Sequence, residues 1–152
     1  MMVLWAGAML LAGAGAMAAP VATVAGGVGL AELVHIEAGW LPREDLAVEL
    51  HAGTVVFNVL VGPAVTWTAL GEPRGHQMLL TGALRVNPLV SPFTLKSGGE
   101  SLAATGETYL GYGFVGERGL LLRARAGVLM YGDGGFAAGP NVGLMAGYAF
   151  GS

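Results

Sequence analysis

The chain has 152 residues and no cysteine, which allows one domain with its own core and excludes disulfides and thiolate metal sites. Its net charge of −3 and pI near 5.5 exclude a basic nucleic-acid surface, so nucleic acid is not expected as a partner. With 54% hydrophobic residues, only 11% charged, a mean hydropathy of +0.64 and 27 glycines, a soluble helical bundle is also excluded, and β-structure in a nonaqueous setting is indicated.

In chain order, MMVLWAGAMLLAGAGAMAAP opens without a charge, and the first charged residue is Glu32. Ala16-Met17-Ala18 behind an apolar stretch has the form of a leader cleavage site, so residues 1–18 read as a signal peptide, although a basic n-region is missing. A first strand retained in the mature chain and a membrane-spanning helix are the alternatives. Residues 19–150 then form the domain, and Gly151-Ser152 read as a cloning remnant.

From about residue 28 the apolar pattern has period two, broken by turn clusters. LVHIEAGW (33–40) sets Val34, Ile36, Ala38 and Trp40 against Leu33, His35, Glu37 and Gly39. The turn LPRED (41–45) leads into 46–55, with Val48 and Leu50 opposite Glu49 and His51. Segment 59–70 opposes Val65 and Trp67 to Ala64 and Thr66; its Pro63 withholds a ladder hydrogen bond and predicts a bulge. In 77–86, Met78, Leu80 and Leu84 oppose Gln77, Thr81 and Arg85. After the long connection 87–104, residues 105–114 set Leu110, Tyr112 and Phe114 against Glu107 and Tyr109. Segment 120–130 opposes Leu120, Leu122 and Val128 to Arg123 and Arg125, and NVGLMAGYAF (141–150) ends on Tyr148 and Phe150. These are seven strands, and the weakly alternating PVATVAGGV (20–28) supplies an eighth.

The charges decide the orientation. Inside strands they are Glu37, Glu49, Arg85, Glu107, Arg123 and Arg125, all opposite the apolar stripe, while the others, Glu32 included, fall in turns or loops. Six charges are too few to solvate the outside of a soluble barrel, but three acids and three arginines neutralise one another inside a narrow lumen. The uncharged stripe then faces lipid, where a charge at mid-bilayer costs roughly 2–4 kcal/mol. Trp40, Trp67, Tyr112, Phe114, Tyr148 and Phe150 lie toward strand ends, where interfacial aromatics belong. The predicted fold is all-β: an eight-stranded antiparallel up-and-down transmembrane barrel.

With Phe150, Tyr148, Ala146, Leu144 and Val142 alternating to a terminal aromatic, the chain resembles the small bacterial outer-membrane β-barrel proteins, the OmpA- and OmpX-like group of eight-stranded barrels, over about residues 20–150. That resemblance implies a Gram-negative outer-membrane location, both termini on the periplasmic side and recognition of the last strand by the outer-membrane assembly machinery. The expected partners are that machinery, the lipid bilayer that the uncharged stripe faces, and proteins or surfaces met by the long loop 87–104.

Pairing around LPRED is expected to place Glu37 opposite Glu49 and His35 opposite His51, all inward. Such a cluster could hold a divalent ion, but a charged plug of His35, Glu37, Glu49, His51, Arg85, Glu107, Arg123 and Arg125 is the favoured reading, with no metal, cofactor or catalytic residue assigned. Gly111–Gly116 spells GxGxxG within a strand pattern and opens no helix, so Gly111 and Gly113 are read as making room for arginines. Ser91, Ser97 and Ser101 share the long loop, away from His35, His51 and His76, and form no serine–histidine–acid set. The expected role is structural or adhesive, not enzymatic. A narrow porin-like pore and a lipid-modifying enzyme are the alternatives.

Overall fold

The computed structural model describes residues 19–30, 32–55, 58–88, 104–132 and 136–151. The signal-peptide reading of 1–18, most of the 87–104 loop with its three serines, and Ser152 lie outside the described residues. Eight antiparallel strands form a closed barrel in chain order: β1 (Ala22–Gly29), β2 (His35–Arg43), β3 (Leu46–Val55), β4 (Asn58–Gly71), β5 (Gly75–Val86), β6 (Ala104–Val115), β7 (Leu120–Gly132) and β8 (Phe136–Phe150). β1 does lie in the weakly alternating segment, and it pairs with both β2 and β8, so no sheet edge is left open.

Alternation sorts the side chains as the pattern requires. Val24, Ile36, Leu50, Leu84, Leu110 and Leu144 point outward and are exposed, while Glu37, Glu49, His51, Arg85, Tyr109 and Asn141 are buried inside. A second, apolar part of the interior lies toward the turn end of β6 and β7, where Ala25, Val115, Leu121, Met145 and Ala149 pack together. The barrel has a turn end, with the β2–β3, β4–β5 and β6–β7 connections and Phe150, and a loop end, with the others. The outward aromatics Trp40, Trp67, Tyr112, Phe114, Tyr148 and Phe150 all lie toward the turn end. Ladder pairs join several of them laterally: Ala22 lies between Trp40 and Phe150, and Leu120 faces Tyr148.

Two expectations about the backbone need correction. β2 runs through Leu41 to Arg43, so LPRED is not a five-residue turn. The hairpin closes at Glu44–Asp45, where the Arg43 guanidinium donates to both Asp45 carboxylate oxygens at 2.9 and 3.0 Å, and the register shifts between Trp40 and Arg43. The tighter turn moves the β2–β3 register by two residues, so Glu37 faces His51, Gly39 faces Glu49 and His35 faces Gly53. Physically the observed register avoids two carboxylates directly opposite each other.

The proline is the second case. The β4–β5 ladder skips Gly62 and Pro63 and resumes at Ala64 unshifted; the register shift lies instead between Thr68 and Leu70. An added Cβ at Gly62 would sit 2.0 Å from the Leu84 carbonyl oxygen. A residue without a side chain therefore lets β5 approach beside the missing ladder bonds, and no extra residue is inserted.

The turn after β6 depends on Gly119, whose φ of +87° is left-handed and whose added Cβ would lie 2.6 Å from both the Ala149 oxygen and the Tyr148 ring. Gly75 has φ +118° but open space around it. We predict that Gly119→Ala lowers the urea midpoint more than Gly75→Ala. Backbone strain of about 1–3 kcal/mol is common to both, and only Gly119→Ala adds the clash. Equal midpoints would show that the contact with β8 has no energetic weight.

Candidate functional site: a charged cluster in the lumen

The interior polar groups are delivered by strand parity, and they divide into two sets joined by His35. Toward the loop end, Arg85 of β5 bridges Glu32 and Glu107. Glu107 also accepts from the Tyr109 hydroxyl, which in turn accepts from the Asn141 amide at 2.8 Å. Arg125 of β7 reaches Glu32 at 2.9 Å and lies 4.5 Å over the Tyr109 ring, a cation–π contact. This set holds two carboxylates and two guanidiniums.

The second set lies below His35. One nitrogen of Arg123, Nη1, contacts Glu37 Oε1 and also Glu49 Oε1, the latter at 2.8 Å. The other oxygen of each carboxylate is turned to the imidazoles. Glu49 Oε2 lies 3.0 Å from His51 Nε2, and Glu37 Oε2 lies 3.5 Å from His51 Nε2 and 3.7 Å from His35 Nε2. Thr66 donates to Glu49 Oε2 at 2.6 Å, so its own oxygen accepts from Thr81 at 2.8 Å. This set holds two carboxylates and one guanidinium.

His35 links them. Its Nδ1–H donates to Glu32 Oε2 at 2.7 Å, and its Nε2 faces Arg125 Nη1 at 3.3 Å. The ring meets that of His51 edge-on, with centroids 4.9 Å apart. Burying isolated charges in such an interior would cost several kcal/mol each, so the pairing and the hydroxyl donors are what make the cluster compatible with folding.

All eight residues read from the sequence as lumenal face the interior, within or beside these two sets. Their pairing differs from the expected one: Glu37 and Glu49 meet through Arg123 and not across a ladder rung, and His35 and His51 meet by ring contact alone. Glu32 lies in a connection, as its place in the sequence indicates, yet it is 1% exposed and its carboxylate meets Arg85 and Arg125 in the lumen. At the end of β1, Gly29 N donates to Glu32 O, and Leu30 N donates to Val142 O of β8. Parity has no meaning in a connection, so no sequence signal could have placed it. The interior therefore carries four carboxylates against three guanidiniums among the described residues, not three against three.

The room for arginines comes partly from other glycines than those expected. A Cβ at Gly53 would lie 2.9 Å from Arg85 Nη1, and one at Gly143 would lie 3.2 Å from Arg125 Nε. Gly111 has Arg125 only at 3.8 Å, while the space at Gly113 is bounded by Leu79 and Gln77. Gly111–Gly116 runs through β6 into a turn. Of the three histidines, His76 is outside, against Tyr112 and Phe114 with a hydrogen bond to the Tyr112 hydroxyl.

No family model, curated protein or solved structure matches this chain.

Proposed function

We propose that this chain is a transmembrane β-barrel of a Gram-negative outer membrane, with a closed, charge-filled lumen and a structural or adhesive role, in the manner of the OmpA- and OmpX-like group. The observation that carries the reading is the outer surface. Large apolar side chains are exposed around the whole barrel, and among the described residues no acidic, lysine or arginine side chain points outward between the strand ends. In water this belt would be an aggregation surface; in a bilayer it is the surface that hydrocarbon requires.

Seven of the eight strands, with 9 to 15 residues, are long enough to cross the hydrocarbon when tilted, and the 8 residues of β1 are extended by hydrogen bonds of Val21 to Phe150 and of Leu30 to Val142; closure pairs every strand on both sides. The aromatic belt at the turn end fits one membrane–water interface. Tyr148 and Phe150 point outward at the end of β8, in the form the assembly machinery is implied to recognise. The closed lumen is supported by the two ion-paired sets and by an interior cavity of only about 20 Å³ toward the turn end, bounded by Thr23, Thr66, Gln77 and Arg123. That cavity has room for about one water.

The test uses detergent-refolded protein. The expected result is a band that shifts on boiling, precipitation when detergent is withdrawn, and a planar bilayer without single-channel steps. A monodisperse protein in plain buffer overturns the membrane reading, and steady conductance steps overturn the closed lumen.

A further inference from the structure

The two charged sets of the lumen are not equivalent. The set nearer the loop end balances, with Glu32 and Glu107 against Arg85 and Arg125. The set around the histidines does not, because Arg123 alone faces Glu37 and Glu49. The surplus negative charge thus lies where two imidazoles also lie. We propose that His35 Nε2, His51 Nε2 and Glu37 Oε2 form a three-residue binding site for a divalent first-row transition ion, zinc above all.

Geometry supports this in three ways. The donor atoms of His35, Glu37 and His51 lie within 4.8 Å of one another. Tetrahedral zinc with bonds of about 2.0–2.1 Å needs ligand atoms roughly 3.4 Å apart; Glu37 Oε2 is 3.5 and 3.7 Å from the two imidazole nitrogens. A small inward movement of the rings would close the set.

The donors are also free of the arginine that neutralises them. Arg123 occupies Oε1 of both carboxylates and leaves Oε2 to the imidazoles, so an ion can enter without breaking either ion pair. Arg123 then holds the ligands from behind. Glu32 does the same for His35, accepting from Nδ1–H and leaving Nε2 as the lone-pair nitrogen, the carboxylate–histidine–metal arrangement. Two contacts have to yield, the 3.3 Å contact from Arg125 Nη1 to that nitrogen and the 3.0 Å hydrogen bond between His51 Nε2 and Glu49 Oε2.

Proton placement is consistent as well. His51 engages its neighbours through Nε2, and its Nδ1 is buried without a hydrogen-bond partner. Metal binding at Nε2 moves the ring proton to Nδ1, which is vacant for it. The ligand set of nitrogen and oxygen donors with no sulfur suits zinc, cobalt or iron(II) in preference to copper(I).

The proposal is independent of the membrane reading, since a barrel refolded in detergent that takes up no metal overturns the site alone. Untagged protein is refolded from urea into micelles with one equivalent of zinc or cobalt, dialysed, and assayed for retained metal and by X-ray absorption. About one zinc per chain is expected, with two imidazoles in its first shell. His35→Gln and His51→Gln should each reduce retention by about tenfold or more, and His76→Gln should leave it unchanged.

Wild-type retention no greater than that of the His35→Gln/His51→Gln double variant overturns the site, as does loss of metal in His76→Gln. Where a lumenal variant gives no heat-modifiable band, the wild-type spectrum decides: fewer than two imidazoles around the metal overturns the proposal.

Discussion

Arg123→Met should destabilise the folded barrel by about 3–5 kcal/mol, because it leaves two buried carboxylates without their cation. Glu37 and Glu49 are 2% and 3% exposed and share Arg123 Nη1. A methionine restores the volume of the stem but not the charge, so the loss reads the electrostatics with little cavity. Urea midpoints of the heat-modifiable form measure it. Adding Glu37→Gln and Glu49→Gln to Arg123→Met should recover much of the loss, since neutral amides need no counter-ion and Thr66 can still donate to residue 49. A loss below about 1 kcal/mol for the single variant would mean that the carboxylates are protonated or hydrated inside, and the ion-paired plug would fall with it.

Leu110→Arg tests the opposite surface. Leu110 is 66% exposed and lies midway along β6, between Leu80 of β5 and Ala126 of β7. If that belt faces hydrocarbon, an arginine there should cost roughly 2–4 kcal/mol of folding stability in lipid vesicles. The same change at Arg118→Leu, reversed in sense and located in the exposed β6–β7 turn, should move stability by no more than about 0.5 kcal/mol. Comparable midpoints for wild type and Leu110→Arg in vesicles would mean that this face is not in the bilayer core.

Much of the barrel was legible from spacing. Period two needs only local chain geometry, so Ile36, Leu50, Leu84 and Leu144 could be sent outward, and Glu37, His51, Arg85 and Arg123 inward, without any tertiary information. Even β1, with its weak alternation, followed from the need of a barrel for a partner to β8.

Pairing was less legible, because it depends on turn geometry. A turn drawn as five residues and one closed at Glu44–Asp45 preserve the same face for every side chain, yet they exchange Glu49 for His51 opposite Glu37. A two-residue slip is invisible to parity. Pro63 shows the same limit: its missing donor was readable, but whether the sheet answers with a bulge or with a skipped pair depends on how closely β5 approaches Gly62.

The sequence by itself determined which side chains share a face, since alternation is a property of the extended backbone. Only the tertiary structure decided which of them meet: that Glu32 turns in from a connection to face Arg85 and Arg125, that Arg123 divides itself between two carboxylates, and that His35 and His51 stand edge to face. The ion pairs of Arg123 with Glu37 and Glu49 and of Arg125 with Glu32 join residues 74 to 93 positions apart across a closed cylinder. Strand tilt, register and closure set such distances together, and no local pattern in the chain encodes them.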